Sequence, residues 1–205
     1  GISKNVKMTS HLYEVLMGDA TTAEAIVKTN VKRLSLLPAS IDLAGAEIEL
    51  VSMENREFLM KKKLDAVKED YDFILIDCPP SLGLMTLNTL VASHLVLIPI
   101  QAEFYALEGL SQLIKTIRHV TRKLNPGLSV LGILLTMFDG RTNLSLQVAE
   151  EVKKYFGTKV FKTVIPRSVK LSEAPSFGES ILTYAPKSKG AEAYKKLSRE
   201  VIRRV

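Results

Sequence analysis

The hydrophobic positions of this chain change rhythm along its length. Phe73-Ile74-Leu75-Ile76, Leu95–Ile100 and Ser129–Thr136 are short, nearly unbroken apolar runs, the pattern of strands covered on both faces. Pro99 marks the expected end of the second run. Between and after them, Leu84–Ala92, Leu107–Leu124 and Leu144–Phe156 carry apolar residues at helical spacing. Asn125-Pro126-Gly127 closes the second of these helices and Gly157 the third. Lys159–Ile165 reads as a fourth, shorter strand before Pro166, Val169–Ala174 as a helical turn, and Gly190–Arg204 as the terminal helix. Nearer the start, His11–Met17 and Thr21–Val27 read as short helices separated by Gly18-Asp19, with Thr21 or Thr22 as an N-cap. Val31–Leu37 reads as a strand ending at Pro38, and Leu43–Val67 as one long helix with a charged side.

Strands alternating with helices predict an α/β fold with a doubly wound, mostly parallel sheet joined by right-handed crossovers. Ligands of such sheets sit at the carboxyl ends of the strands. Four segments fall there: Asp77–Gly83, Pro99–Glu103, Thr136–Asn143 and Pro166–Lys170.

The first segment has the most specific chemistry. An acidic residue at the tip of a buried strand is costly unless its charge is used. In phosphate-hydrolysing folds it serves a magnesium ion, usually through a water. Here the residue is Asp77, followed by Cys78-Pro79-Pro80-Ser81-Leu82-Gly83. The prolines stiffen the loop, and Gly83 permits close approach of the backbone to a phosphate. The plainer reading makes Asp77 a cap for the helix starting at Leu84.

Composition narrows the class. The 205 residues are 46% hydrophobic and 24% charged, which fits one globular domain over residues 1–205 and argues against disorder. The lone Cys78 excludes an internal disulfide and a cysteine-rich metal site, and fits a reducing cytosol. No apolar run approaches the ~20 residues of a membrane-spanning helix, and no signal peptide is evident. A formal charge of +6 and a pI of about 9.3 make a polyanion a plausible partner.

Four stretches resemble the ParA/Soj-type partitioning ATPases of the MinD/ParA superfamily, the deviant Walker branch of P-loop NTPases. Tyr71–Gly83 is similar to that family's Walker B and switch II region. Pro99–Gly109 is similar to the next strand end, and Leu135–Thr142 to the strand leading to the nucleotide base. Ile165-Pro166-Arg167-Ser168-Val169-Lys170-Leu171-Ser172-Glu173-Ala174-Pro175-Ser176-Phe177-Gly178 is close to a signature of the Soj branch. The resemblance implies a P-loop NTPase fold, ATP or ADP with magnesium, and ATP-dependent homodimers. It also implies nonspecific DNA binding, a ParB-like partner and a cytoplasmic, nucleoid-associated protein. Asp77 would help hold magnesium, with Pro79 and Gly83 in the same loop. Thr136 would lie near the adenine, and Pro166, Arg167 and Ser168 would line the base pocket, largely through their backbone. The alternative for Thr136 is a strand-end hydroxyl bonded to the backbone.

The family's phosphate loop has no counterpart: no Gly-x-x-x-x-Gly-Lys-[Ser/Thr] string occurs, nor an Asp-x-Asp-Pro-Gln-like strand end. Gly1-Ile2-Ser3 resembles the point just after that strand. The sheet is therefore expected to be incomplete at its N-terminal side, with exposed apolar edges. The chain by itself is expected not to hydrolyse ATP, and whether it holds a nucleotide without that loop is left open. No catalytic residue is assigned.

Basic residues gather at Arg56 and Lys61–Lys63, and through the last third at Arg167, Lys170, Lys187, Lys189, Lys195, Lys196, Arg199, Arg203 and Arg204. Arg167, Lys170, Arg199 and Arg203 are the preferred contacts to DNA phosphates. One rival is a MinD-like membrane-associated ATPase, whose terminal helix would set a basic face against a bulky apolar one. Tyr194, Leu197, Val201 and Val205 form a stripe, but a stripe of this kind usually packs on a core. Two further rivals are an iron–sulfur relative, which the single cysteine disfavours, and a non-hydrolysing interaction fragment.

Overall fold

The computed structural model describes residues 10–79, 81–103 and 106–205. Gly1-Ile2-Ser3 and the motif residues Pro80, Phe104 and Tyr105 lie outside them. The chain divides into two compact units, one of residues 1–94 and 117–128, the other of residues 95–116 and 129–205.

The second unit holds the parallel sheet. Strand β3 (Leu95–Gln101) pairs in parallel with β4 (Ser129–Thr136), with one register shift between Val96 and Leu97. Pro99 does not end β3 as expected but sits within it opposite Leu134. Proline is tolerated there because β3 has a ladder neighbour on one side only among the described residues. Beyond β4 runs Val160–Pro166, bridged to it at Ile133↔Val160 and Phe138↔Pro166. The Phe161 and Ile165 N–H groups donate to the Ile133 and Leu135 carbonyls, each at 2.9 Å. The expected strand Lys159–Ile165 is not continuous. The N–H groups of Lys162 and Thr163 turn away to the two carboxylate oxygens of Glu200, at 2.8 and 2.9 Å.

Helices α7 (Asn143–Phe156), α8 (Val169–Glu173), α9 (Ile181–Tyr184) and α10 (Lys189–Arg204) complete this unit, and α6 (Ala106–Lys123) is divided between the two units. Thr142 caps α7 by accepting the Ser145 N–H, and Ser188 caps α10 by accepting that of Ala191. Leu134, Phe161 and Ile165 form a core with Ala193 and Leu197 of α10, and Val201 packs against it. Gly132 in β4 is required by crowding. A Cβ there would stand 2.6 Å from the Lys159 carbonyl, 2.7 Å from the Phe161 ring and 2.8 Å from Arg204 Nη1. Arg204 lies 4.0 Å over the Phe161 ring and donates to the carbonyls of Leu131, Lys159 and Val160 and to Glu200.

The first unit is built mostly from short helices. Helix α1 (Leu12–Met17) ends at Gly18, whose φ of 96° only glycine adopts readily. Helix α2 (Thr22–Ala25) starts with a reciprocal capping box between Thr21 and Glu24. The expected strand Val31–Leu37 shrinks to β2 (Ser35–Leu36), antiparallel to β1 (Val27–Lys28), because Thr29 bonds to Val31 and Leu34 and folds the intervening residues into a turn. The single long helix expected over Leu43–Val67 is broken. Helix α3 (Leu43–Leu50) and α4 (Leu59–Asp65) flank a segment in which Asn55 takes a left-handed φ of 53°. Leu16, Ala46, Leu50, Met60 and Met85 form the core, the last from α5 (Leu84–Ala92). Asn88 is fully buried on α5. Its side chain accepts the Met60 N–H and donates to the Arg56 and Leu84 carbonyls.

One expectation fails outright. Phe73–Ile76 forms no strand, and Phe73, Ile74 and Leu75 are exposed, Leu75 to 91%, with Ile76 half-buried. An apolar run becomes a strand only when a neighbour takes its N–H and C=O groups. Among the described residues no strand offers that ladder.

Candidate nucleotide site and basic face

The residues singled out from the sequence fall into both units. Asp77, Pro79 and Gly83 belong to the first, and Thr136, Pro166, Arg167, Ser168, Lys170, Arg199 and Arg203 to the second.

In the first unit Asp77 and Pro79 are exposed on the segment leading into α5. Asp77 does not cap α5. The N-terminal turn of that helix receives Glu47 instead, whose Oε1 accepts the Met85 N–H at 3.1 Å. A Cβ on Gly83 would stand 3.0 Å from Glu47 Oε2, so a larger residue there would push that carboxylate aside. Cys78 is bonded through Sγ to the Thr89 hydroxyl at 3.1 Å. No three His, Cys, Asp or Glu side chains converge as a metal cage among the described residues. A lone Asp77 carboxylate fits a magnesium ion that keeps most of its waters and takes its other ligands from nucleotide phosphates.

In the second unit the ends of β4 and of the bridged segment zip together. The Phe138 N–H donates to the Ile165 carbonyl and the Arg167 N–H to the Phe138 carbonyl, both at 3.1 Å. This brings Thr136, Pro166, Arg167 and Ser168 to one sheet end. Met137 between them takes a left-handed φ of 52°. The Thr136 hydroxyl donates to the Ile100 carbonyl at 3.0 Å, the backbone role held open for it from the sequence. The Arg167 N–H is engaged in the ladder. Ser168 precedes α8 and makes no side-chain cap bond, so its hydroxyl is the polar group of this set with no protein partner among the described residues.

Charges of alternating sign surround this sheet end. Arg141 holds Asp139 in two side-chain bonds, Nε to Oδ1 at 2.8 Å and Nη2 to Oδ2 at 2.7 Å. Those bonds, then the Arg141 N–H and the charge of Arg167, carry the Asp139 carboxyl down to about 2. Arg167 also stands 3.8 Å from Glu103 Oε1. Arg167 is thus exposed but flanked by carboxylates.

The other basic candidates differ among themselves. Lys170 Nζ bonds Glu173 Oε2 at 2.8 Å. Arg199 and Arg203 are exposed on α10 and make no ion pair or side-chain hydrogen bond among the described residues. Lys195 and Lys196 share their outer side of the helix. Arg204 is a structural residue, half-buried and bonded to Glu200 at 2.8 Å. Of the apolar stripe on α10, Leu197 and Val201 pack on the core, while Tyr194 and Val205 are exposed.

Sequence reasoning did not single out Glu173, Tyr184, Asp139, Glu47 or Glu200. Glu173 lies three residues after Lys170, a spacing that places both on one helix face and could have signalled the pair. Glu47 and Glu200 act across 38 residues of sequence, where no local pattern points to the partner.

Comparison with known proteins identifies the family. A family model described as an AAA domain matches residues 1–130. The sporulation initiation inhibitor protein Soj of Bacillus subtilis is 58% identical over 190 residues, 93% of this chain and 75% of that protein. The chromosome partitioning protein ParA of Myxococcus xanthus is 52% identical over 201 residues, 98% of this chain and 71% of that protein. Among solved structures, a cobyrinic acid a,c-diamide synthase of Mycobacterium smegmatis, with bound ATP analogue and magnesium, gives a TM-score of 0.81. It is 38% identical, over 96% of this chain and 73% of its own. The cell division ATPase MinD of Pyrococcus furiosus gives 0.78 at 26% identity, over 97% of this chain and 78% of its own. The fold is therefore that of the P-loop NTPases, with a short parallel sheet, and the chain belongs to the Soj/ParA family of partitioning ATPases.

Proposed function

We propose that this chain supplies the DNA and base contacts of a ParA/Soj-type ATPase that partitions chromosomal or plasmid DNA. ATP with magnesium closes a homodimer, the dimer binds duplex DNA without sequence preference in the cytoplasm at the nucleoid, and a ParB-like partner stimulates hydrolysis and release. Asp77 would be the residue that holds the magnesium. Thr136 and the Pro166–Ser168 segment border the base, with the Ser168 hydroxyl as the free polar group. Pro79 and Gly83 shape the loop beside the phosphates. Magnesium, when bound, would neutralise charge on the phosphates.

The observation that carries the reading is the outer side of α10. Arg199 and Arg203 project there without carboxylate partners among the described residues, in a chain of net charge +6. Cations held by no internal anion are the ones available to phosphates, and each phosphate neutralised adds about 0.9 to the salt dependence of binding.

The test is a titration of a labelled DNA duplex at several salt concentrations. The wild-type chain binds, and Arg199→Ala with Arg203→Ala weakens binding and lowers the slope of log K against log salt by about 2. Unchanged affinity and slope in the double variant would reject the assignment. Flotation with anionic vesicles in place of DNA would favour a MinD-like membrane role. For the nucleotide, magnesium-dependent binding of a fluorescent ATP analogue is lost in Asp77→Ala. Sustained phosphate release by the 205-residue chain would overturn the expectation that it does not hydrolyse ATP by itself.

A further inference from the structure

Lys170 is exposed on α8, next to Leu171, which packs in a small cluster with the start of α10. Ala174, Ile181 and Ala191 form its core, with Leu171, Tyr184 and Ala185 against it. Gly190 in the first turn of α10 approaches Leu171 so closely that a Cβ there would stand 2.8 Å from Leu171 Cγ. The position of Lys170 is therefore fixed relative to the helix that carries Arg199 and Arg203.

Unlike those arginines, Lys170 is held. Glu173 Oε2 accepts both the Lys170 ammonium, at 2.8 Å, and the Tyr184 hydroxyl, at 2.9 Å. The ammonium also stands 5.6 Å from the Tyr184 ring centroid. Tyr184 is itself backed by Phe177, the two rings stacked 5.0 Å apart. An exposed Lys–Glu pair at this spacing is ordinarily loose. Here a stacked aromatic pair anchors the carboxylate through a second hydrogen bond, so Glu173 stays in place beside the ammonium.

Resting on the reading that α10 faces DNA, with Lys170 a candidate phosphate contact beside it, we propose that Glu173 is a built-in competitor of the DNA phosphate for Lys170, setting how tightly this face grips a polyanion. A phosphate reaches Lys170 only by displacing the Glu173 carboxylate, and the displaced carboxylate then repels it. The arrangement weakens a nonspecific contact without removing the cation. Tyr184 is a positioning residue: it acts through Glu173 and does not touch the ligand.

The experiment is the same salt-dependent titration of a labelled DNA duplex, on wild type, Glu173→Gln, Lys170→Ala, the Glu173→Gln/Lys170→Ala pair and Tyr184→Phe, with Arg199→Ala/Arg203→Ala alongside. Glutamine keeps the shape and removes the charge, so Glu173→Gln tightens binding about threefold. It also steepens the salt slope by about 0.9, the signature of one newly available phosphate contact. Lys170→Ala leaves the Glu173 carboxylate without its cation and weakens binding, the Glu173→Gln/Lys170→Ala pair falls back to about the wild-type affinity and slope, and Tyr184→Phe gives part of the Glu173→Gln gain. A merely structural Glu173 would lower affinity or leave the slope unchanged, and either result overturns the proposal. If wild type binds DNA and the arginine pair matters but Glu173→Gln does not tighten binding, this inference alone fails. If wild type binds no DNA, both readings fall together.

Discussion

Phe73–Ile76 and Ser129–Thr136 are alike in sequence and opposite in structure. Both are apolar runs flanked by polar residues, the pattern of a strand buried on both faces. The second is β4, with β3 on one side, the bridged Val160–Pro166 segment on the other, and Ile133 and Leu135 fully buried within it. The first is unpaired among the described residues, and Phe73, Ile74 and Leu75 face solvent. Hydrophobic pattern thus measures what a segment requires, and the fold supplies it only where a neighbouring ladder exists. The same contrast separates the candidate residues. Thr136, Pro166, Arg167 and Ser168 are positioned by backbone bonds between two segments. Asp77 rides on a segment whose own ladder is lacking.

The sharpest way to break this comparison is to truncate one apolar side chain in each run. Ile133→Ala removes a fully buried side chain from β4 and is expected to destabilise the second unit by about 3 kcal/mol. Urea unfolding followed by circular dichroism would read the loss. A cost below about 1 kcal/mol would mean that the sheet core around Ile133 is far looser than its burial implies.

Next in size is Glu200, the residue that prevents Lys159–Ile165 from being a regular strand. Its burial pushes its carboxyl upward, but the Lys162 N–H, the Thr163 hydroxyl and N–H, and Arg204 outweigh that and carry it down to about 2. A carboxylate whose pKa is depressed on folding contributes stability above its unfolded pKa and loses it as pH falls through the folded value. Wild type should therefore lose stability between about pH 4.3 and about pH 2 through this residue. Glu200→Ala should cost about 2 kcal/mol near neutral pH, by leaving two backbone N–H groups and Arg204 without their acceptor. It should also flatten the acid dependence over that window. Thermal melts across pH would show both effects, and an unchanged acid slope would exclude Glu200 as their source.

These residues mark where the sequence was legible. Helices α5, α6, α7 and α10 fall within a residue of their expected spans, because each carries its apolar periodicity and its stop signal locally. Strand β4 matches residue for residue for the same reason. What was illegible depended on partners distant in sequence. Glu200 redirects two N–H groups from 37 and 38 residues away, and Glu47 reaches Met85 from 38. The break of the long helix at Asn55 is local but turns on a left-handed backbone that asparagine permits without requiring. At the candidate site, the strand ends expected from the sequence bring Thr136, Pro166, Arg167 and Ser168 to one sheet end. Which cations there are already held by carboxylates is set by side-chain geometry that spacing alone leaves open.

The smallest expected effect returns to Phe73–Ile76. Leu75 is 91% exposed, so Leu75→Ser removes almost no buried surface and should change stability by less than about 0.5 kcal/mol. Its informative consequence lies elsewhere. An exposed, unpaired apolar run offers N–H and C=O groups together with side chains to another chain, the situation that drives edge-to-edge association. Leu75→Ser should therefore leave the unfolding midpoint in place while lowering self-association in sedimentation velocity at high protein concentration. A destabilisation comparable to that of Ile133→Ala would show that Leu75 is buried in solution, and the difference between the two runs would vanish. An unchanged midpoint with unchanged association would leave the difference in burial intact and remove Leu75 as a driver of self-association.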